Sequence, residues 1–80
     1  MLTLKIVSPE RIVYDGEAKS VTVPGVLGSF QVLENHAPII SALDEGKVIY
    51  VTPDGERTMD ISGGFIEVHD NEVSLVAEVN

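Results

Sequence analysis

An 80-residue chain with 13 acidic and 5 basic side chains, a formal net charge of −8 and no cysteine is held together and recognised in few ways. At this length it forms one domain that buries roughly 60% of its unfolded surface, and without cysteine it has neither a disulfide framework nor a thiolate zinc site. Its charge excludes nucleic acid, which demands a positive footprint, and its short apolar runs lie far below the roughly 20 residues of a spanning helix.

The start, Met1-Leu2-Thr3-Leu4-Lys5, has no basic segment followed by a long apolar run, so no signal peptide is expected. Apolar residues then recur at every second position, in short runs bounded by Gly, Pro, Asp or Asn, which is the period of strands. The first run covers residues 2–7, with Leu2, Leu4 and Ile6 alternating with Thr3 and Lys5, and Ser8-Pro9 ends it. A short strand at 11–14 is closed by Asp15-Gly16, and a third at 19–23 sets Val21 and Val23 against Ser20 and Thr22. Strands at 29–33 and 38–43 follow. Pro53-Asp54-Gly55 then joins 47–52 to 56–61 in the clearest hairpin, because Asp-Gly supplies the turn geometry a tight loop needs. Ser62-Gly63-Gly64 is read as a strand corner after which Phe65 enters the core, with strands at 65–69 and 72–79 completing the chain. The expected fold is all-β: a single domain over residues 1–80, built as a small antiparallel β-sandwich or flattened barrel of about 8–10 strands. No segment has a convincing helical period.

Chemistry is scarce. His36 and His69 lack any His-x-His or His-x-x-x-His spacing, so a turn, capping or interface role is the expectation over metal binding or catalysis. The acidic pairs Asp44-Glu45 and Asp70 with Glu72 lie in turns, where water screens both members and no split into acid and base arises. Gly25-Val26-Leu27-Gly28 and Gly63-Gly64 neither open a helix nor carry a cation, as a phosphate loop would. The aromatics, two Tyr and two Phe with no Trp, sit on alternating strands and are read as core. No catalytic, cofactor-binding or metal-binding residue is expected.

The stretch from Val23 to Leu43 carries the densest set of backbone-setting residues: Pro24, Gly25 and Gly28 at the front, Asn35 and Pro38 at the back. Such residues specify a shape. Val26 and Leu27, apolar residues in a loop between two glycines, point to packing or docking.

These residues carry a resemblance. The run of residues 28–38, GSFQVLENHAP, together with 4–10, 62–68 and 73–78, resembles the epsilon subunit of bacterial rotary ATP synthase over its N-terminal β-sandwich domain. The resemblance implies a non-catalytic central-stalk subunit that docks the gamma subunit to the c ring and supports the coupling of ion transport to ATP synthesis. It would lie on the cytoplasmic face of the bacterial inner membrane, peripheral and held there by the complex. It also implies a c-ring loop at Pro24, Gly25, Val26, Leu27, Gly28 and Ser29, and a gamma-facing side that includes Ser8, His36, Ala37, Pro38, Ile39 and Ile40. The sequence departs from the family pattern at Ser29, where an acid is frequent, at Gln31, where glycine is frequent, and at Glu34-Asn35, where Pro-Gly is frequent. Many members continue into two inhibitory helices, some of which bind ATP. This sequence stops at Asn80, so it is expected to lack that arm and to bind no ATP. The alternative is a freestanding β-sandwich ligand-binding or adaptor module, distinguished by a deep polar pocket instead of a flat surface with an apolar loop.

Overall fold

The computed structural model describes residues 1–80 and contains eight strands and no helix: β1 Leu2–Val7, β2 Ile12–Ala18, β3 Ser20–Gly25, β4 Gly28–Val32, β5 Ile39–Leu43, β6 Gly46–Thr52, β7 Gly55–His69 and β8 Glu72–Val79. The alternation read from the sequence translates directly into burial. Leu2, Leu4 and Ile6 of β1 are buried while Thr3 and Lys5 face solvent, and Val73, Leu75 and Ala77 of β8 repeat the pattern. Successive side chains of a strand point to opposite faces, so one alternating run makes one half-buried strand.

The strands form two layers around one core. In the first, the order is β2, β1, β8, the second half of β7, then β5; in the second, the first half of β7 pairs β6, β6 pairs β3 and β3 pairs β4. A single bridge between Gly25 of β3 and Leu43 of β5 closes the circuit on one side. Sixteen buried apolar residues from both layers make the core, and the body measures 27 × 26 × 18 Å. All pairings are antiparallel except that of β1 with β8, which is parallel. That departs from the purely antiparallel expectation, and the reason is topological: the first strand is inserted between its own hairpin partner β2 and the last strand.

Two boundaries differ from the sequence reading by more than two residues. β2 does not stop at Asp15-Gly16 but runs to Ala18, because β1 offers partners along its whole length, from Val7↔Ile12 to Leu2↔Ala18. An available ladder overrides local turn preference. The expected break at 62–64 is likewise absent: β7 is one 15-residue strand. Its first part, Gly55 to Ile61, pairs with β6, and its later part pairs with β5 and β8, with a register irregularity between Ile61 and Gly63. The Ser-Gly-Gly run thus lets one strand pass between layers by a bulge, which sharpens twist without reversing the chain. Gly64 is required there, since a Cβ would overlap the Val76 backbone oxygen.

The same irregularity decides which residue after the bulge turns inward. Phe65, expected in the core, is 47% exposed, and Ile66 and Val68 are buried in its place. Each change of one residue in register swaps the faces of a strand. The other rings meet the expectation better. Tyr50 is buried, Phe30 and Tyr14 pack against the core, and Tyr14 lies 5.2 Å from Tyr50 between centroids with the Arg57 guanidinium 5.7 Å above its ring.

The hairpin between β6 and β7 has Thr52 and Gly55 as its closing pair. The buried Thr52 hydroxyl accepts from the Asp54 N–H at 3.1 Å and donates to the Gly55 carbonyl at 3.1 Å. Near the start of the chain the Ser8 hydroxyl plays a similar part, accepting from the Arg11 N–H at 3.2 Å and donating to the Arg11 carbonyl at 3.1 Å.

Candidate docking surfaces

The β3–β4 hairpin narrows to the pair Gly25↔Gly28, leaving Val26 and Leu27 as its two-residue tip. Its base is anchored to the neighbouring strand: the Val26 N–H donates to the Ala42 carbonyl at 3.1 Å, and the Asp44 N–H donates to the Pro24 carbonyl at 2.8 Å. Pro24 has no N–H to give the ladder but keeps its carbonyl in use. Gly28 returns the chain at φ 129°, a conformation open to glycine and rarely to other residues. On this fixed base Leu27 is fully exposed and Val26 is half exposed. Neither side chain folds back on the core.

The second predicted segment lies beside it. His36 is half-buried, with its ring 2.7 Å from the Ala37 carbonyl through Nδ1, which places the ring proton on that nitrogen, and 6.5 Å from the Phe30 ring between centroids. Ala37 and Pro38 are exposed; Ile39 leans on the core, while Ile40 is 71% exposed. Leu27, Ser29, Phe30, His36 and Ile39 share the wall of one shallow depression of about 370 Å³. The hairpin tip and the segment at 36–40 are therefore adjoining parts of one surface. Ser8, the remaining predicted residue, sits apart from them on the β1–β2 turn, where it is buried and its hydroxyl is occupied by the turn.

What joins Ser8 to residues 36–40 is a feature the sequence reading passed over. Across the outer face of the first layer, register places Ala42 beside Phe65, Phe65 beside Val76, Val76 beside Val7 and Val7 beside Ile12. Phe65, Val76 and Ile12 are 47%, 41% and 55% exposed. The result is an apolar row running across five strands, with Ile40 at one end and the Ser8 turn at the other. Its signal was present as consecutive apolar pairs, Ile6-Val7, Phe65-Ile66 and Leu75-Val76, since a strand can turn only one member of such a pair inward.

His69 meets only Asp70, 3.4 Å away and exposed, and no three His, Asp or Glu side chains are arranged to hold a metal ion. The depressions are shallow; that next to Phe65 and Val76 has a volume of about 360 Å³ and is floored by Gly63 and Gly64.

A family model for the ATP synthase delta/epsilon chain β-sandwich domain matches residues 1–79. The chain belongs to the ATP synthase delta/epsilon family. Among its relatives, the ATP synthase epsilon chain of Chlorobaculum tepidum is 46% identical over 77 residues, covering 95% of this chain and 88% of that one. The epsilon chain of Syntrophomonas wolfei is 43% identical over 76 residues and extends well beyond the match, which takes in 94% of this chain and 56% of that one. The fold recurs in a chain of the Euglena gracilis mitochondrial ATP synthase, from a structure of its OSCP, F1 and c-ring, with a TM-score of 0.90 at 23% identity over 99% of this chain and 52% of the other. The epsilon chain, which these relatives are, is a non-catalytic subunit of the ATP synthase.

Proposed function

We propose that this chain is a rotor subunit of a rotary F-type ATP synthase, set in the central stalk between the gamma subunit and the c ring and carried to the cytoplasmic face of a bacterial plasma membrane by that assembly. The observation that carries this reading is the β3–β4 tip, where two apolar side chains stand in solvent on a hairpin braced by β5. Exposing them costs solubility, and a partner that covers them removes that cost. The c-ring contact is assigned to Pro24, Gly25, Val26, Leu27, Gly28 and Ser29. The gamma-facing side is assigned to the Ser8 turn and to His36, Ala37, Pro38, Ile39 and Ile40, with the apolar row from Ala42 to Ile12 as the ground between them. Ser8 serves by shaping its turn, since its own side chain is engaged there.

The test is Val26→Asp combined with Leu27→Asp. Neither side chain contributes to the core, so the variant should keep its fold, with stability changed by no more than about 0.5 kcal/mol. Purified from native membranes, it should come away with gamma but with markedly less c subunit, and ATP synthesis driven by the ion gradient in membrane vesicles should fall. Normal recovery of c and normal synthesis would remove the hairpin tip from the c-ring contact.

A further inference from the structure

Residues 33–38 cross from β4 to β5 outside any ladder, yet they carry His36 and enter the segment assigned to gamma. Within this crossing a single backbone hydrogen bond, from the His36 N–H to the Leu33 carbonyl at 3.1 Å, closes a turn. Asn35 takes a left-handed conformation in it, with φ 67°. An isolated turn of this kind has little to hold it against the rest of the molecule.

The hold comes from Asn71, 36 residues away. Its Oδ1 accepts from the Asn35 N–H at 2.6 Å, and its Nδ2 faces the Asn35 Oδ1 at 3.4 Å. Asn71 is itself well fixed. With Asp70 it forms the two-residue turn between His69 and Glu72, both at positive φ, 50° and 63°, and its carbonyl accepts from the Thr3 N–H of β1 at 2.8 Å. A turn with two left-handed positions favours glycine at the second. Asparagine there is less favourable for the backbone, so its side chain has another use.

We infer that Asn71 is a positioning residue: its side-chain amide fixes the Asn35 turn to the β7–β8 hairpin and so presets residues 36–40 for docking. Preordering a segment before association removes part of the entropy lost on binding. The inference rests on the gamma-facing assignment made above, and it adds a residue that touches no partner. The Met1 amino group, 3.5 Å from the Glu34 carboxylate, supplies a second, solvent-screened tie to the same turn.

Asn71→Gly is the informative variant because glycine fits φ 63° and preserves the hairpin while deleting the amide. In the full chain, hydrogen exchange at the Asn35 amide should accelerate about tenfold, with protection at Val48 and Leu75 unchanged. Affinity for the gamma subunit should drop by about threefold to tenfold, the loss expected when one hydrogen bond no longer preorders the segment. Asn71→Asp, which keeps an acceptor for the Asn35 N–H, should restore both. Unchanged exchange at Asn35 in the glycine variant overturns the inference. So does faster exchange with unaltered gamma affinity. Ile40→Asp separates the two levels: if it weakens gamma binding while Asn71→Gly does not, the positioning role alone fails, and if neither weakens it, the gamma-facing assignment fails as well.

Discussion

Gly64 shows how much one residue can settle. Its missing Cβ lets the backbone of β7 lie against the Val76 carbonyl and the Ala77 backbone, and any side chain would push β7 and β8 apart at the point where the strand changes layers. Gly64→Ala is therefore expected to cost about 1–3 kcal/mol, in the range of substitutions that force a backbone shift inside a packed structure. Urea unfolding would register this as a lower midpoint with an unchanged slope, and a midpoint within error of the parent would show that the sheet yields more easily than its packing implies. The pair Gly63-Gly64 was legible in the sequence as a change of direction, but not as a bulge within one unbroken strand. That Phe65 would then face outward was missed: the register slip between Ile61 and Gly63 shifts the alternation by one, and its only trace in the residue types is the alternation of Ile66, Glu67 and Val68 after it.

The elements divide by how local their causes are. The β6–β7 hairpin could be read from Pro53-Asp54-Gly55 because its chemistry lies within four residues. Replacing Thr52 by valine keeps volume and branching but removes a buried hydroxyl that both donates and accepts, so a loss of about 1–2 kcal/mol is expected. Equal stability of Thr52→Val and parent in a thermal melt would mean that the turn residues alone hold this hairpin. β2 was legible only to Asp15-Gly16, since its continuation to Ala18 depends on β1. The β3–β4 hairpin is a mixed case. Val26 and Leu27 stand out as apolar residues in a loop, but the braces from Ala42 and Asp44 to Val26 and Pro24 join positions too distant for spacing to reveal, as does the Asn35–Asn71 clasp.

In the whole molecule, the alternating runs were sufficient for the all-β class and the sandwich, while the order of strands was not contained in them. The parallel seating of β1 beside β8 and the outer apolar row both arise from pairings between ends of the chain. The apolar pairs announce that each strand turns one such residue outward, but that these residues line up in a row becomes readable only once register is known. One expectation follows for unfolding. β7 belongs to both layers, so neither can melt alone, and denaturation should be a single two-state transition with tyrosine fluorescence and far-ultraviolet circular dichroism coincident. Separate midpoints would mean that the layers come apart as independent units. In the proposed rotor role this sharing of a strand has a mechanical side. Load received on the β5 side of the body has a covalent path along 15 residues of extended chain into the layer that bears the β3–β4 tip. The two halves resist sliding by the stiffness of a polypeptide under tension, and side-chain packing between layers need not carry that shear alone.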